Sequence, residues 1–115
     1  TGTIMGKFVV TTRKNGDFQF VLKATNGQVI LSSQGYSTKA NCLNGVESVK
    51  KNSQIEDRFE IKEAKDGSPF FNLKSSNGQI IGSSQMYSSE RPMKEGIASV
   101  MKNAPEAEVV EELEQ

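Results

Sequence analysis

The sequence predicts an α+β protein of two tandem β-β-β-α repeats, packed as an internal pseudo-dimer with an antiparallel sheet and its helices on one face. Three observations predict it. An ungapped comparison of residues 8–53 with residues 59–104 gives 20 identities in 46 positions, so the chain carries one unit twice. Within each unit, apolar residues first alternate with polar ones, as in half-buried strands, and then recur three and four apart, as on an amphipathic helix. A unit of about 50 residues has a marginal core alone, so two are expected to share one. Two copies also fall short of a solenoid, which needs about three.

In the first unit, Phe8, Val10 and Thr12 alternate with more polar neighbours, as do Phe18, Phe20, Leu22 and Ala24, and each set reads as a strand. Lys14-Asn15-Gly16-Asp17 between them is a turn. Asn26-Gly27 tolerates the positive φ of tight hairpins, so a third strand at Gln28 to Ser33 folds back on the second. Ser37 is expected to cap a helix with Ala40, Leu43, Val46 and Val49 on its apolar stripe, Cys42 beside it and Asn52 at its end. The second unit repeats the plan with Phe59 and Ile61, Phe71 and Leu73, Gln79 to Ser84, and a helix bearing Met93, Ile97, Val100 and Met101. Ser88 or Ser89 caps this helix and puts Pro92 fourth or third in it, where a missing N–H costs little. Gly45 and Gly96 are mid-helix equivalents, each costing about 1 kcal/mol relative to alanine, and close packing against a strand or the other helix would explain them. The expected core is Phe8, Phe20, Leu22, Leu43, Val46, Val49, Phe59, Ile61, Phe71, Leu73, Ile97 and Val100. Val9, Val21 and Phe70 fall on the other sheet face and, if that face is open, form the expected docking patch.

The composition removes much chemistry. Among 115 residues there is one cysteine and no histidine, which excludes an internal disulfide, His-based catalysis and an ordinary His/Cys zinc site. No apolar run approaches the ~18 residues of a membrane span or reads as a secretory signal, so the expectation is a cytoplasmic protein with no membrane contact. No acid is duplicated: Asp17 aligns with Ser68, Glu47 with Ala98, Glu60 with Val9 and Asp66 with Asn15, which argues against two symmetric carboxylate sites. Cys42 aligns with Met93 and is expected to be a buried structural thiol. Neither Walker nor dinucleotide glycine spacing occurs. No catalytic residue, cofactor or metal is expected.

The duplicated polar positions pair Lys23 with Lys74, Gln28 with Gln79, Ser32 with Ser83, Ser33 with Ser84, Gln34 with Gln85 and Tyr36 with Tyr87. They fall where the third strand hands over to the helix. Lys23, Ser33, Gln34, Tyr36, Lys74, Ser84, Gln85 and Tyr87 are therefore the candidate binding surface, where hydroxyl, amide and helix N-terminal N–H groups could receive an anion. The structural alternative is that the serines satisfy turn and cap donors, the tyrosines pack and the lysines face solvent.

Charge is unevenly spread. Residues 5–53 carry seven Lys and Arg against two acids, residues 54–104 seven of each, and residues 105–115 five glutamates and no base. The tail could fold over the basic first repeat and screen it from anions. By the repeat offset Val109 matches Arg58 and Val110 matches Phe59, so a short strand there could cover an exposed sheet edge. The expected organisation is an N-terminal extension at 1–4, repeats at 5–53 and 54–104 sharing one compact domain, and an acidic tail at 105–115.

Leu22-Lys23-Ala24 before Asn26-Gly27, Ser33-Gln34-Gly35-Tyr36-Ser37, Asn44 through Asn52, and Ile80 through Tyr87 together resemble the YegP-like family of small bacterial proteins. The likeness covers about residues 5–110, and Met5-Gly6-Lys7-Phe8 resembles the family's start. It implies small α+β domains, often in tandem, of unknown function, and brings no ligand or partner with it. The functional expectation is a non-enzymatic binding or protein-interaction module; the alternative is nucleic-acid or anion binding through the basic first repeat. A monomer is expected, with a dimer as the alternative.

Overall fold

The protein's structure, a computed structural model, describes residues 6–112. Strands β1 (Lys7–Thr12), β2 (Phe18–Lys23) and β3 (Val29–Ser32) form an antiparallel meander and lead into α1 (Lys39–Asn52). A 3-10 turn at Glu56–Arg58 opens onto β4 (Phe59–Glu63), β5 (Pro69–Lys74), β6 (Ile80–Ser83) and α2 (Glu90–Asn103). A second 3-10 turn, Ala104–Glu106, delivers β7 (Glu108–Glu112).

All seven strands form one sheet in the order β4-β5-β6-β3-β2-β1-β7. The two meanders meet where β3 and β6 pair antiparallel, equivalent residue on equivalent residue, Ser32 on Ser83. At the far side β7 runs parallel to β1, setting Val109 beside Phe8 and Val110 beside Val9. The sheet is therefore mixed, not wholly antiparallel as expected. The reason is connectivity: β7 comes off a helix, and a helical crossover permits parallel neighbours where a hairpin does not. The expectation of a strand covering an edge in the acidic segment is met by β7, whose Val109 packs on the core behind Ala107, itself 3% exposed.

Both helices contribute to one core. Cys42, Val46 and Val49 of α1 and Met93 and Val100 of α2 are buried with Phe8, Val10, Phe20, Leu22, Leu31, Phe71 and Leu73. Each helix leans on both units, α1 on β2 and β6, α2 on β5 and β3. At the centre, Leu31 occupies a position whose equivalent is Gly82. A Cβ added at Gly82 would stand 2.8 Å from both Cγ and Cδ2 of Leu31. One leucine fills the space that two would contest, which explains a difference between otherwise matched strands.

Local details depart from expectation in small ways. The cap of α1 is Thr38, whose Oγ1 accepts the Asn41 N–H at 3.1 Å, and not Ser37. Ser89 holds the equivalent place before α2, with Pro92 third in the helix. At the β2–β3 hairpin only Gly27 takes a positive φ, +83°, while Asn26 stays at negative φ and its Oδ1 accepts the Gln28 N–H.

Of the expected core, Leu43, Phe59 and Ile97 are only partly buried, and Ile61 is 55% exposed. Its equivalent, Val10, is fully buried. Two asymmetries explain this: β7 lies alongside β1, whereas β4 has no such neighbour among the described residues, and α2 carries Lys94 where α1 carries Leu43. The expected extension at 1–4 lies outside the described residues. No helix among those described is long and apolar enough to cross a membrane.

Candidate functional site

The duplicated polar residues divide between structural duties. Ser33 Oγ accepts the Phe20 N–H at 2.9 Å and donates to the Gln34 carbonyl at 2.8 Å. Ser84 repeats this with Phe71 at 3.0 Å and Gln85 at 2.8 Å. Tyr36 stacks on Phe20, ring centroids 6.2 Å apart, and Tyr87 on Phe71 at 6.3 Å. These tyrosines account for the helix glycines: a Cβ on Gly45 would lie 2.5 Å from the Tyr36 hydroxyl, and one on Gly96 2.8 Å from Tyr87 Cζ. Burial pushes the Tyr36 and Tyr87 hydroxyls above their usual pKa, with the Cys42 thiol adding to the effect at Tyr36.

Lys23 and Lys74 do not join that cluster. They follow the core residues Leu22 and Leu73 in their strands, and alternation sends them to the sheet face away from the helices. There Lys74 Nζ sits 2.8 Å from Glu60 Oε2. Gln85 and Tyr87 do line a crevice of about 310 Å³ together with Asn26 and Gln28 of the other meander. Gln34 is exposed.

The outer sheet face is not the apolar patch expected. One cross-strand row runs Glu60, Asn72, Ser83, Ser32, Val21, Val9, Val110, apolar at one end and polar at the other. Val9 is only 2% exposed, held between Val21 and Val110 with Lys7 and Lys23 paired beside it, and Phe70 lies several strands away. The lysines of the basic first repeat are partly engaged as well. Lys39 Nζ lies 2.5 Å from Glu111 on β7, and Lys50 lies over the Phe8 ring, 5.9 Å from its centroid.

Exposed apolar side chains occur at Ile80 and Met86 and at the edge made by β4. A groove of about 550 Å³ there is lined by Phe59, Ile61, Ile97, Lys94, Glu56 and Asp57, with Ile55 of the same connection 39% exposed. The backbone at this edge has a definite direction. Phe71 gives its N–H to Ser84 Oγ and its carbonyl to the Ser84 N–H, both on the β6 side. Ile61 and Phe71 are thus a non-hydrogen-bonded pair of the β4–β5 ladder, so Ile61 turns its own N–H and C=O outward, as does Glu63, whereas Phe59 gives its N–H to the Glu56 carbonyl and turns out only its C=O. On the outer face Glu60 accepts from Lys74, and this bond, reinforced by the Lys62 charge, holds its carboxyl below the usual carboxylate range.

On the outer side of α2, Glu90 pairs with Lys94 at 2.8 Å and Arg91 with Glu95 at 4.0 Å. Among the described residues no three of Cys, Asp and Glu gather as a metal site would require. Sequence reasoning missed the β4 edge because strand order is not written in periodicity; its one local signal was Lys94 facing Leu43 in the repeat alignment.

Residues 14–60 and 64–111 each match the family described as domain of unknown function DUF1508. The chain belongs to this family. The likeness to YegP read from the residues is borne out by other members. A UPF0339 protein from Stutzerimonas stutzeri is 51% identical over 106 residues, covering 92% of this chain and 96% of that protein. The solution NMR structure of YegP from E. coli, a protein of unknown function, superposes with a TM-score of 0.94 at 41% identity, covering 100% of this chain and 99% of that one. A UPF0339 protein from Shewanella oneidensis, also solved by NMR, gives 0.90 at 45% identity over 96% of this chain and 93% of that one. None of these descriptions gives an activity. The second DUF1508 match runs through most of β7, so residues 105–111 of the acidic segment fall within it.

Proposed function

We propose that the chain is a non-enzymatic protein-interaction module, two repeats packed as an internal pseudo-dimer, that receives an extended segment of a partner protein on the free edge of β4. The observation carrying this reading is the contrast between the outer edges of the two meanders. β1 is covered by β7 and its Val10 is buried, whereas among the described residues β4 pairs only with β5 and leaves Ile61 55% exposed. In strand addition, main-chain hydrogen bonds supply affinity and pockets for alternate side chains supply specificity. Here the outward N–H and C=O groups of Ile61 and Glu63 and the C=O of Phe59 offer the first, and the groove beside Ile61 and Ile97 the second. A fitting segment places an apolar side chain opposite Ile61 and opposite charges against Glu60 and Lys62.

Anion recognition by the first repeat has less behind it. Lys39 is already paired with Glu111, Lys50 lies over Phe8, and Lys23 faces away from Ser33 and Tyr36.

The test is an amide NMR titration of the full chain with a short acetylated peptide alternating valine with glutamate and lysine. Shifts confined to Phe59 through Glu63 and to Ile97 are expected. Shifts centred on Tyr36 and Tyr87, or none at millimolar peptide, overturn the assignment to β4.

A further inference from the structure

We infer that the segment received by β4 is the β4 of a second copy of this chain, added antiparallel about a twofold axis at Ile61. The inference rests on the reading of β4 as a docking edge and goes further by naming its occupant.

The edge is complementary to itself in three respects. Main-chain groups come first. Ile61 turns both N–H and C=O outward, so two copies set Ile61 against Ile61 exchange both bonds, and on either side the Phe59 carbonyl accepts the N–H of the partner's Glu63, the Phe59 N–H being held by the Glu56 carbonyl. Charge comes second. In that register Glu60 stands opposite the partner's Lys62, and Lys62 opposite the partner's Glu60. These are the non-hydrogen-bonded positions, where Cα atoms approach to about 4.5 Å and cross-strand charge pairs act most directly. A slip of two residues either way keeps the hydrogen-bond pattern but sets Glu60 on Glu60 or Lys62 on Lys62, so charge selects one register. Apolar cover comes third. The Ile61 side chains meet on the helix face beside Phe59 and Ile97, giving this edge the burial that β7 gives Val10.

α2 lies over β5 and β3, set back from the edge, and a twofold axis normal to the sheet keeps both copies' helices on one side. Outward charges such as Glu60 and Lys62 normally blunt an edge against stray strands. Here they repel most sequences and match their own. The chain's acidic β7 is a poor occupant, since Glu108, Glu111 and Glu112 would approach Glu56, Glu60 and Glu63. Two strands of five residues make an interface well under the ~1,200 Å² of stable complexes, so the dimer is weak and exchanges rapidly.

The experiment uses the full chain at micromolar to millimolar concentration, read by sedimentation velocity and by amide shifts. The expected result is an apparent mass rising toward that of a dimer with shifts confined to β4. Glu60→Lys and Lys62→Glu should each abolish association while keeping a folded spectrum, and an equimolar mixture of the two variants should regain it, because each then meets its opposite charge. A chain monomeric at millimolar concentration overturns the inference, as does association that survives both variants or fails to return on mixing. If the alternating peptide shifts β4 while the chain stays monomeric, the docking reading stands and self-pairing falls. If neither peptide nor second copy perturbs β4, both fall.

Discussion

Replacing Gly45 with alanine sets two well-sized effects against each other. In an ordinary helix interior the change stabilises by about 1 kcal/mol, because glycine gives up more backbone freedom on folding. Here the new Cβ would stand 2.5 Å from the Tyr36 hydroxyl oxygen, 2.9 Å from its Cζ and 3.0 Å from Phe20 Cε2. The ring cannot simply swing away. It lies nearly parallel to Phe20, 13° between planes, and its backbone is tied to Phe18 by two hydrogen bonds of 2.7 Å. Forcing such a contact typically costs 1–3 kcal/mol, so at a mid-range cost of about 2 the net effect is a loss of about 1 kcal/mol. For a chain of this length that lowers Tm by about 4 °C. Urea unfolding followed by far-UV circular dichroism, with unchanged m-value, measures the difference. In a Tyr36→Ala background most of the clash is gone, so the same substitution should cost at least about 1 kcal/mol less, or turn stabilising. If Gly45→Ala stabilises the otherwise unaltered protein by about 1 kcal/mol, tyrosine packing does not require the glycine and the account of the duplicated Gly–Tyr pairs is wrong.

Two further outcomes follow from the core. Gly82→Leu should destabilise strongly, since even its Cβ meets Leu31 at 2.8 Å, whereas Gly82→Leu combined with Leu31→Gly should recover much of the loss by moving the one leucine across the β3–β6 seam; a tolerated Gly82→Leu single variant refutes the shared-space argument. Burial pushes the Cys42, Tyr36 and Tyr87 pKa values up, so the folded state holds these protons more tightly than the unfolded one. The associated stability is present below the unfolded thiol pKa of about 8.5 and is lost as pH rises through the folded values. Urea midpoints should fall above about pH 8.5, and Cys42, fully buried, should react with a thiol reagent at pH 8 only as fast as the structure opens. Modification at the rate of a free thiol would show the site open.

The strands and helices were legible because each has a short-range cause. Alternation placed Phe8, Phe20, Leu22, Phe71 and Leu73 inward, and the three-and-four spacing of Val46 and Val49 fixed the buried side of α1. Even β7 could be anticipated, because Val110 stands one repeat beyond Phe59. What could not be read depends on which strand lies beside which. Ile61 looks like Val10 in the alignment and differs from it through neighbours, β7 on one edge and, among the described residues, no strand on the other. Val9 looked exposed for the converse reason, since nothing local announces that Val110 will lie against it. The candidate polar surface was drawn from recurrence, and recurrence has a structural side here. Ser33, Tyr36 and their copies were selected for recurring twice, and in each unit they supply the same turn acceptor and the same ring over the same glycine.

That result reverses the weight given to identity in a duplicated chain. Positions kept in both units are those whose duty is performed twice: Asn52 and Asn103 both donate to the serine carbonyl one turn earlier, Ser48 and Ser99, at 2.8 Å. A feature used once must be written in positions that differ. Three such differences converge on the outer edges of the sheet. Val9 faces Glu60 in the alignment, Val10 faces Ile61, and Leu43 faces Lys94. In the first unit these residues make an apolar edge that β7 seals; in the second they leave an isoleucine exposed beneath a lysine and put a glutamate on the outer face beside Lys62. Had the second edge only to be protected from stray pairing, an inward charge at residue 61 would serve best. An isoleucine there, flanked by charges that complement each other across a twofold, is what an edge meant to be covered requires.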